Sequence, residues 1–183
     1  MSYHPELIEK FVNSRLIAKE SSAKSRLSRE ICSRFVAAVK LLPDDEQELF
    51  LEERRRISIE MLADPKLPFG MRTISGGSLP NRHYTVFICE ECCEWDENRF
   101  IGALLRELGH IVAEIPPEEE WPLSRGDRAR FKEHSELVAD CMVWKWGLRH
   151  YDMSFLVSTY PPHWVDRIVA DIEKLILADE QVK

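Results

Sequence analysis

The stretch LLRELGH, residues 104–110, contains three side chains whose types and spacing could do chemistry. Glu107 and His110 are three residues apart, so on a helix their carboxylate and imidazole share one face. Both groups are common ligands of Zn²⁺. Arg106 adjoins them, and its guanidinium stays protonated and has no lone pair to offer a cation. The segment therefore combines a candidate general base, Glu107, and a candidate metal ligand, His110, with a neighbour that opposes a metal ion.

A second group of acids lies in the segment EHSELVAD. Glu133, Glu136 and Asp140 occupy positions i, i+3 and i+7, which places them on one side of a predicted helix. If that side packs on the RELGH helix, the carboxylates need a cationic partner, because burying them unpaired is costly. We predict that Arg106 is this partner, with its planar donor fork bidentate to Glu136 or Asp140. Arg106 would then neutralise the acids and hold the two helices together.

The order of the segments adds to these motifs. Helices are followed by a short sheet ending in YTVFI, a helix carrying RELGH, a loop, and a helix carrying EHSELVAD. This arrangement resembles the zincin metallopeptidases, in the branch whose third metal ligand is a glutamate and which includes small intracellular ImmA/IrrE-like proteins. The resemblance covers roughly residues 70–147.

The resemblance implies a role for each residue of the two motifs. Glu107 matches the catalytic general base that activates a zinc-bound water. His110 and Glu136 match two of the zinc ligands, to be used only if metal is bound, and Asp140 matches the outer-shell carboxylate that orients a ligating histidine. Arg106 stands where the first zinc-binding histidine would be, so RELGH is a degenerate form of the HExxH motif.

Arg106 makes the fold a firmer expectation than the activity. A zinc site that has only His110 and Glu136 is one strong ligand short of the usual minimum. We therefore expect a zincin-like pseudoenzyme that uses no cofactor and binds a protein or peptide partner. The alternative is an active zinc-dependent peptidase with a non-standard ligand set, which cleaves a specific intracellular protein.

The segment CEECC and one further histidine are weaker candidates for metal binding. Cys89 and Cys92 form a C-x-x-C pair directly after a predicted strand, with Cys93 beside them. One such pair is weak evidence for zinc, and free thiols of a cytosolic protein are the alternative. By the zincin resemblance, the strand-to-helix loop lies near the cleft, so Cys92 or Cys93 could approach the site. His134 is another substitute ligand, although it is two residues from Glu136 and should point elsewhere.

The composition indicates one soluble globular domain. The 183 residues are 44% hydrophobic and 31% charged, which argues against disorder. No apolar run approaches the roughly 20 residues that a membrane helix needs, and the N-terminal segment does not resemble a secretory signal. Five cysteines without such a signal favour reduced thiols and a cytoplasmic location.

The charge distribution argues against a nucleic-acid partner. The net charge is -7, whereas attraction to phosphate needs a basic surface. Residues 1–40 carry eight Lys/Arg against four Asp/Glu, so the basic N-terminal helices are the one place where such contact could occur. Residues 90–140, which include the candidate site, carry fourteen Asp/Glu against six Lys/Arg.

Periodicity predicts the elements that would position these residues. Residues 4 to about 64 have a helical pattern, and the segments MRTIS and RHYTVFIC are expected to pair as an antiparallel hairpin or edge. A helix is predicted from Asp96, its N-cap, to about Val112. An acidic loop, IPPEEEWPLSRG, follows it; a surface position is expected, and covering the cleft is the alternative.

Two further helices complete the prediction. One runs from about Asp127 to Trp146, with Gly147 as the C-cap glycine. The other follows Pro161-Pro162 with these positions facing inward: Trp164, Ile168, Ile172, Leu175 and Ile176. The expected fold is α+β, mostly helical, with a small antiparallel or mixed sheet against the RELGH helix. We expect one domain with N-terminal helices (1–64), a zincin-like core (70–147) and a C-terminal helical segment (148–183).

Overall fold

The computed structural model describes residues 16–17, 22–51, 56–62, 70–77, 82–117, 120–122 and 124–181. The N-terminal part contains strand β1 (Leu16–Ile17), helices α1 (Ser22–Leu41) and α2 (Asp44–Leu51), and strand β2 (Arg56–Leu62). Strands β3 (Met71–Gly76) and β4 (His83–Cys89) follow, then a 3₁₀ helix (Glu90–Glu94). The remaining elements are α3 (Glu97–Val112), α4 (Arg125–Lys145), α5 (Arg149–Thr159) and α6 (Pro162–Glu180).

The described strands form one mixed sheet in the order β1-β2-β4-β3. Strands β1, β2 and β4 run parallel, whereas β3 runs antiparallel to β4, with Thr73 opposite Val86. The predicted α+β, mostly helical class and the antiparallel pairing of β3 with β4 are therefore confirmed. Strand β3 lies at the edge of this sheet, next to the RELGH helix α3.

Strand β2 corrects the helical prediction for residues 4 to about 64. Ile57 and Ile59 are buried and Ser58 between them is half-buried, which is the alternation of a strand. The hydroxyls of Ser58 and Thr85 lie 2.9 Å apart across the β2–β4 pair. In the segment RISIEML, buried and half-buried residues alternate with a period of two, which is the pattern of a strand and not of a helix. The segment forms β2 because it pairs along its whole length with β4. Residues 4–15, at the start of the helical prediction, lie outside the described residues.

Helix α3 is the centre of the core, as its apolar stripe predicts. Its buried positions run from Phe100 to Ile111, and the carboxylate of Asp96 accepts from the backbone N–H of Arg99 as an N-cap. The helix packs on α4 and α5, and also on α1 and β3. Two glycines allow the closest approaches. A Cβ at Gly102 would lie 2.1 Å from the carbonyl oxygen of Tyr151, and one at Gly109 would lie 2.7 Å from that of Ala139.

The C-terminal helices agree with the prediction in extent and differ in two details. Helix α4 begins after Ser124, whose side chain accepts from the N–H of Asp127, and Gly147 has the positive φ of 77° expected of a C-cap glycine. A separate helix, α5, lies within the segment predicted only as helical. In α6, Ile172 is fully buried, but Trp164 is 47% exposed, so the prediction that Trp164 faces inward is wrong. In the parts of the chain that the structure describes, no helix is long and apolar enough to cross a membrane.

The contact at Gly102 generates the first prediction. In the variant Gly102→Ala the new methyl group collides with backbone of α5, so α3 and α5 must move apart and the free energy of unfolding should fall by about 2 kcal/mol or more. Gly126→Ala in α4 is the matched control, because nothing lies within 4 Å of its Cβ position. The control should be neutral or more stable by up to about 1 kcal/mol. Urea unfolding measures both variants, and equal effects would contradict the close packing of α3 on α5.

Candidate functional site

A small cleft lies between strand β3, helix α3 and the first half of α4. Its cavity volume is about 100 Å³, and Arg106, Glu107 and His110 of α3 line it together with Glu136 of α4. The acidic loop also reaches it, because Ile115, Pro116 and Trp121 are part of the lining. The structure therefore brings the RELGH and EHSELVAD motifs together, and the loop forms one wall of the cleft.

Arg106 forms the ion pairs that the sequence predicts, in a different arrangement. Its Nε donates to Oδ1 of Asp140, and its Nη2 forms an ion pair with Oε2 of Glu136 over 3.1 Å. The fork is thus divided between two carboxylates rather than bidentate to one. Burial lowers the pKa of Arg106, but the charges of Asp140 and Glu136 outweigh it and hold the pKa well above the ordinary value. The guanidinium also lies 5.5 Å from the ring centroid of Phe155 on α5.

Glu136 is shared between Arg106 and His110. Nε2 of His110 lies 3.3 Å from the same Oε2 atom that forms the ion pair with Arg106. Burial raises the pKa of Glu136, but Arg106 and then His110 lower it to about 2. Burial lowers the pKa of His110, whereas its bond to Glu136 and the charge of Glu107 raise it above the ordinary value. The side chain of Glu136 is 35% exposed, so solvent screens these pairs in part. A charged imidazole has no lone pair for a metal ion.

Glu107 points toward the sheet edge. The backbone N–H of Thr73 on β3 donates to Oε2 of Glu107 over 2.5 Å. The Thr73 hydroxyl also donates to the backbone carbonyl of Glu107 over 3.3 Å. The carboxylate that the resemblance identifies with a general base is therefore bound to strand β3.

Asp152 on α5 is a site residue that the sequence analysis missed. It is fully buried, and Nε1 of Trp144 donates to its Oδ2 over 2.7 Å. Burial, followed by the charge of Asp140, raises the pKa of Asp152 to about 8. Burial also raises the pKa of Asp140 in spite of its bond to Arg106. Within the described residues, Oδ1 of Asp152 has no hydrogen-bond partner, and its raised pKa favours a proton on this carboxyl group.

A helical period could have revealed Asp152. The residue belongs to a stripe at i, i+4, i+7 and i+8 whose other members are buried: Leu148, Phe155 and Leu156. An acid in such a stripe is expected to be buried with a partner. This stripe of buried positions appears only when residues 149–159 are read as a separate helix.

The weaker candidates lie away from the cleft. Cys89 and Cys92 are buried; the Cys92 thiol donates to the carbonyl of Gly70 over 3.1 Å, and burial raises its pKa to about 12. Burial also raises the pKa of Cys93, which is half-buried beside α1. The three thiols precede the N-terminus of α3, whereas His110 is in its last turn, so they sit at the opposite end of that helix. His134 is exposed on α4.

The residues at the cleft do not fit the zinc ion that the resemblance implies. His110 and Glu136 are adjacent, but Arg106 stands at the position that the resemblance gives to the first zinc ligand, and its guanidinium already pairs with Glu136. Across the ranges that the structure describes, no group of three or more His, Cys, Asp or Glu side chains is arranged to hold a metal ion. The carboxylates of Asp140 and Glu136 are already paired with the guanidinium of Arg106, so they do not suit a zinc ion as well.

Comparisons of the chain with family models, with curated proteins and with solved structures returned no match. The function proposed below therefore depends on the geometry of the cleft and on the sequence motifs. That geometry consists of the guanidinium of Arg106, which pairs with Asp140 and Glu136 of α4, the imidazole of His110 beside Glu136, and the carboxylate of Glu107, which faces the edge of the sheet.

Removing the guanidinium should destabilise the fold strongly. Arg106→Ala leaves Asp140 buried without its cationic partner, and we expect the free energy of unfolding to fall by about 3–5 kcal/mol. Arg167→Ala is the matched control, since it removes an exposed pair with Glu133 and should cost less than about 1 kcal/mol. Chemical denaturation measures both. An unchanged stability of Arg106→Ala would contradict the role of Arg106 in holding α3 to α4.

The buried Asp152 predicts a particular dependence of stability on pH. The folded chain holds a proton on Asp152 up to about pH 8, whereas the unfolded chain releases it near pH 4. The proton therefore stabilises the folded state fully below about pH 4, and this contribution is lost as the pH rises towards 8. Asp152→Asn keeps an oxygen acceptor for Trp144 and removes the titration.

The measurement is the free energy of unfolding of both proteins by urea from pH 5 to pH 8. The wild-type value minus that of Asp152→Asn should fall with rising pH, by at most about 1.4 kcal/mol per pH unit. Taking the difference removes the contributions of His110 and Glu136, which both proteins share. A difference that stays constant over this range would show that Asp152 is ionised in the folded protein.

Proposed function

We propose that this chain is a zincin-like pseudoenzyme that binds an extended segment of a partner protein in the cleft beside strand β3. The observation that carries the proposal is the position of Arg106. Its guanidinium binds Asp140 and Glu136, the residues that match the outer-shell acid and the third zinc ligand. A fixed cation already stands where the peptidase chemistry of the resemblance needs a metal ion.

The states of Glu107 and His110 support the absence of peptidase activity. A general base needs a free acceptor oxygen near its substrate, and Oε2 of Glu107 already accepts from Thr73. A ligating histidine must be neutral, and the acids around His110 raise its pKa.

The shape of the cleft supports a protein partner. Pockets for small-molecule ligands have volumes of roughly 300–1,000 Å³, whereas this cavity has about 100 Å³. Such a volume suits one side chain of a longer segment whose backbone lies outside the cavity. Strand β3 is at the sheet edge and runs along the cleft, and an edge strand can add an extended segment through its backbone groups. The walls offered to that side chain include the rings of Trp121 and Phe155.

The five cysteines support a cytoplasmic location for this binding. The net charge of -7 supports a protein partner over a nucleic acid. The peptidase alternative depends on the proximity of His110 and Glu136, which lie 3.3 Å apart and match two zinc ligands. The peptidase alternative requires the side chain of Arg106 to move out of the site. Asp140 would then be buried without its ion pair.

Peptides selected from a displayed library of random sequences test the proposal. We expect the folded chain to select peptides, and Trp121→Ala, which removes one wall of the cleft, should weaken their binding by about tenfold. Trp164→Ala is the matched control, because Trp164 is a half-exposed tryptophan on α6 and is not part of the cleft lining. The dissociation constant of the selected peptide should be the same for Trp164→Ala as for the wild type in isothermal titration calorimetry.

Two results would overturn the proposal. One is a failure to select any peptide, or selection of peptides that bind equally well to Trp121→Ala. The other is stoichiometric zinc in protein purified without chelator, together with peptide cleavage that a chelator stops. That second result would establish the peptidase alternative.

A further inference from the structure

The outward backbone groups of β3 are the part of the cleft that a partner segment would use. The carbonyl of Gly70 accepts from the N–H of Cys89, which makes these opposite residues a hydrogen-bonded pair. Pairs alternate along an antiparallel ladder, so Thr73, opposite Val86, belongs to a non-hydrogen-bonded pair. Its N–H and C=O therefore point away from β4, towards the free edge of the sheet.

That outward N–H already has an acceptor within the chain. Oε2 of Glu107 lies 2.5 Å from the nitrogen of Thr73, and the Thr73 hydroxyl donates to the Glu107 carbonyl on the same helix. In strand addition, the acceptor at this place would be a backbone carbonyl of the incoming segment. The carboxylate of Glu107 thus occupies the position of a partner's carbonyl oxygen.

We infer that Glu107 is a gate on the edge of β3, and that a partner segment enters by displacing its carboxylate from the N–H of Thr73. This inference rests on the proposed function, because it assumes that the cleft binds an extended segment. It assigns to Glu107 a regulatory contact in place of the catalytic role implied by the zincin resemblance. An isolated helix, whose carbonyls are used internally, would not open the gate, so the partner segment is extended.

The exchange at Thr73 replaces one acceptor by another. When the partner carbonyl takes the N–H of Thr73, the carboxylate of Glu107 must leave the strand. The contact of Glu107 with Thr73 therefore lowers the affinity of the cleft for a partner segment, because a hydrogen bond to a carboxylate must be exchanged for one to a neutral carbonyl.

The test compares the binding of one peptide to four proteins by isothermal titration. The peptide is selected from the random library against an equal mixture of the wild type and Glu107→Ala. Glu107→Ala frees the N–H of Thr73 and should bind the peptide at least about tenfold more tightly than the wild type. Glu107→Gln keeps a weaker, neutral acceptor and should fall between them. Glu97→Ala, an exposed acid in the first turn of the same helix, is the control and should equal the wild type.

Amide hydrogen exchange at Thr73 provides a second measurement that does not depend on affinity. The amide should be protected in the free wild type, exchange faster in free Glu107→Ala, and be protected again in both when the peptide is bound. This pattern would show that the peptide carbonyl and the Glu107 carboxylate use the same donor.

The outcomes separate the inference from the function beneath it. If a peptide binds in the cleft but Glu107→Ala and Glu107→Gln bind it as the wild type does, or more weakly, the gate is wrong and the proposed function stands. If neither the wild type nor Glu107→Ala selects any peptide, the proposed function fails and the gate fails with it. Slow exchange of Thr73 in free Glu107→Ala would also overturn the gate.

Discussion

The ion pairs of Arg106 across helices α3 and α4 are the interaction on which the arrangement of the cleft depends. Asp140 is almost fully buried, and a carboxylate in that position needs a cation or a proton. Arg106, itself buried, donates to it from Nε and forms an ion pair with Glu136 through Nη2. The glycine contact between the helices, at Gly109 against the carbonyl of Ala139, brings the backbones close and leaves little room for another arrangement.

The division of the guanidinium between two acids determines the protonation of their neighbours. Burial and then the charge of Asp140 stabilise Asp152 in its protonated form, and the charge of Arg106, which is shared with Asp140 and Glu136, does not outweigh them. On the solvent side, Arg106 and then His110 lower the pKa of Glu136, and the hydrogen bond with Glu136 raises the pKa of His110. The site therefore favours a proton on the buried Asp152 and an ionised carboxylate on Glu136.

The sequence predicted the parts of this arrangement that follow from local rules. Asp96 as an N-cap, the apolar stripe of α3 and the positive φ of Gly147 are confirmed. The pairing of Arg106 with the acids of α4 was also accessible, because burying the carboxylates without a cation is so costly. The sequence could not show that Arg106 is shared between Glu136 and Asp140, because this depends on the point along the two helices at which α3 crosses α4. The position of Glu107 on β3 is likewise set by tertiary packing, and Asp152 escaped notice with its helix.

A guanidinium and a metal ion differ in ways that matter for Glu107. A metal ion attracts every carboxylate around it and can hold a water for a base to activate, whereas the N–H groups of Arg106 are directional. They are aimed at Asp140 and Glu136, and Glu107 faces the other side, where a backbone N–H of the edge strand is its nearest donor. In the proposed function, Glu107 therefore competes with a partner's backbone for an N–H of the edge strand. In that proposal, the position of Arg106 explains this role, because its guanidinium is used by Asp140 and Glu136 and leaves Glu107 to the strand.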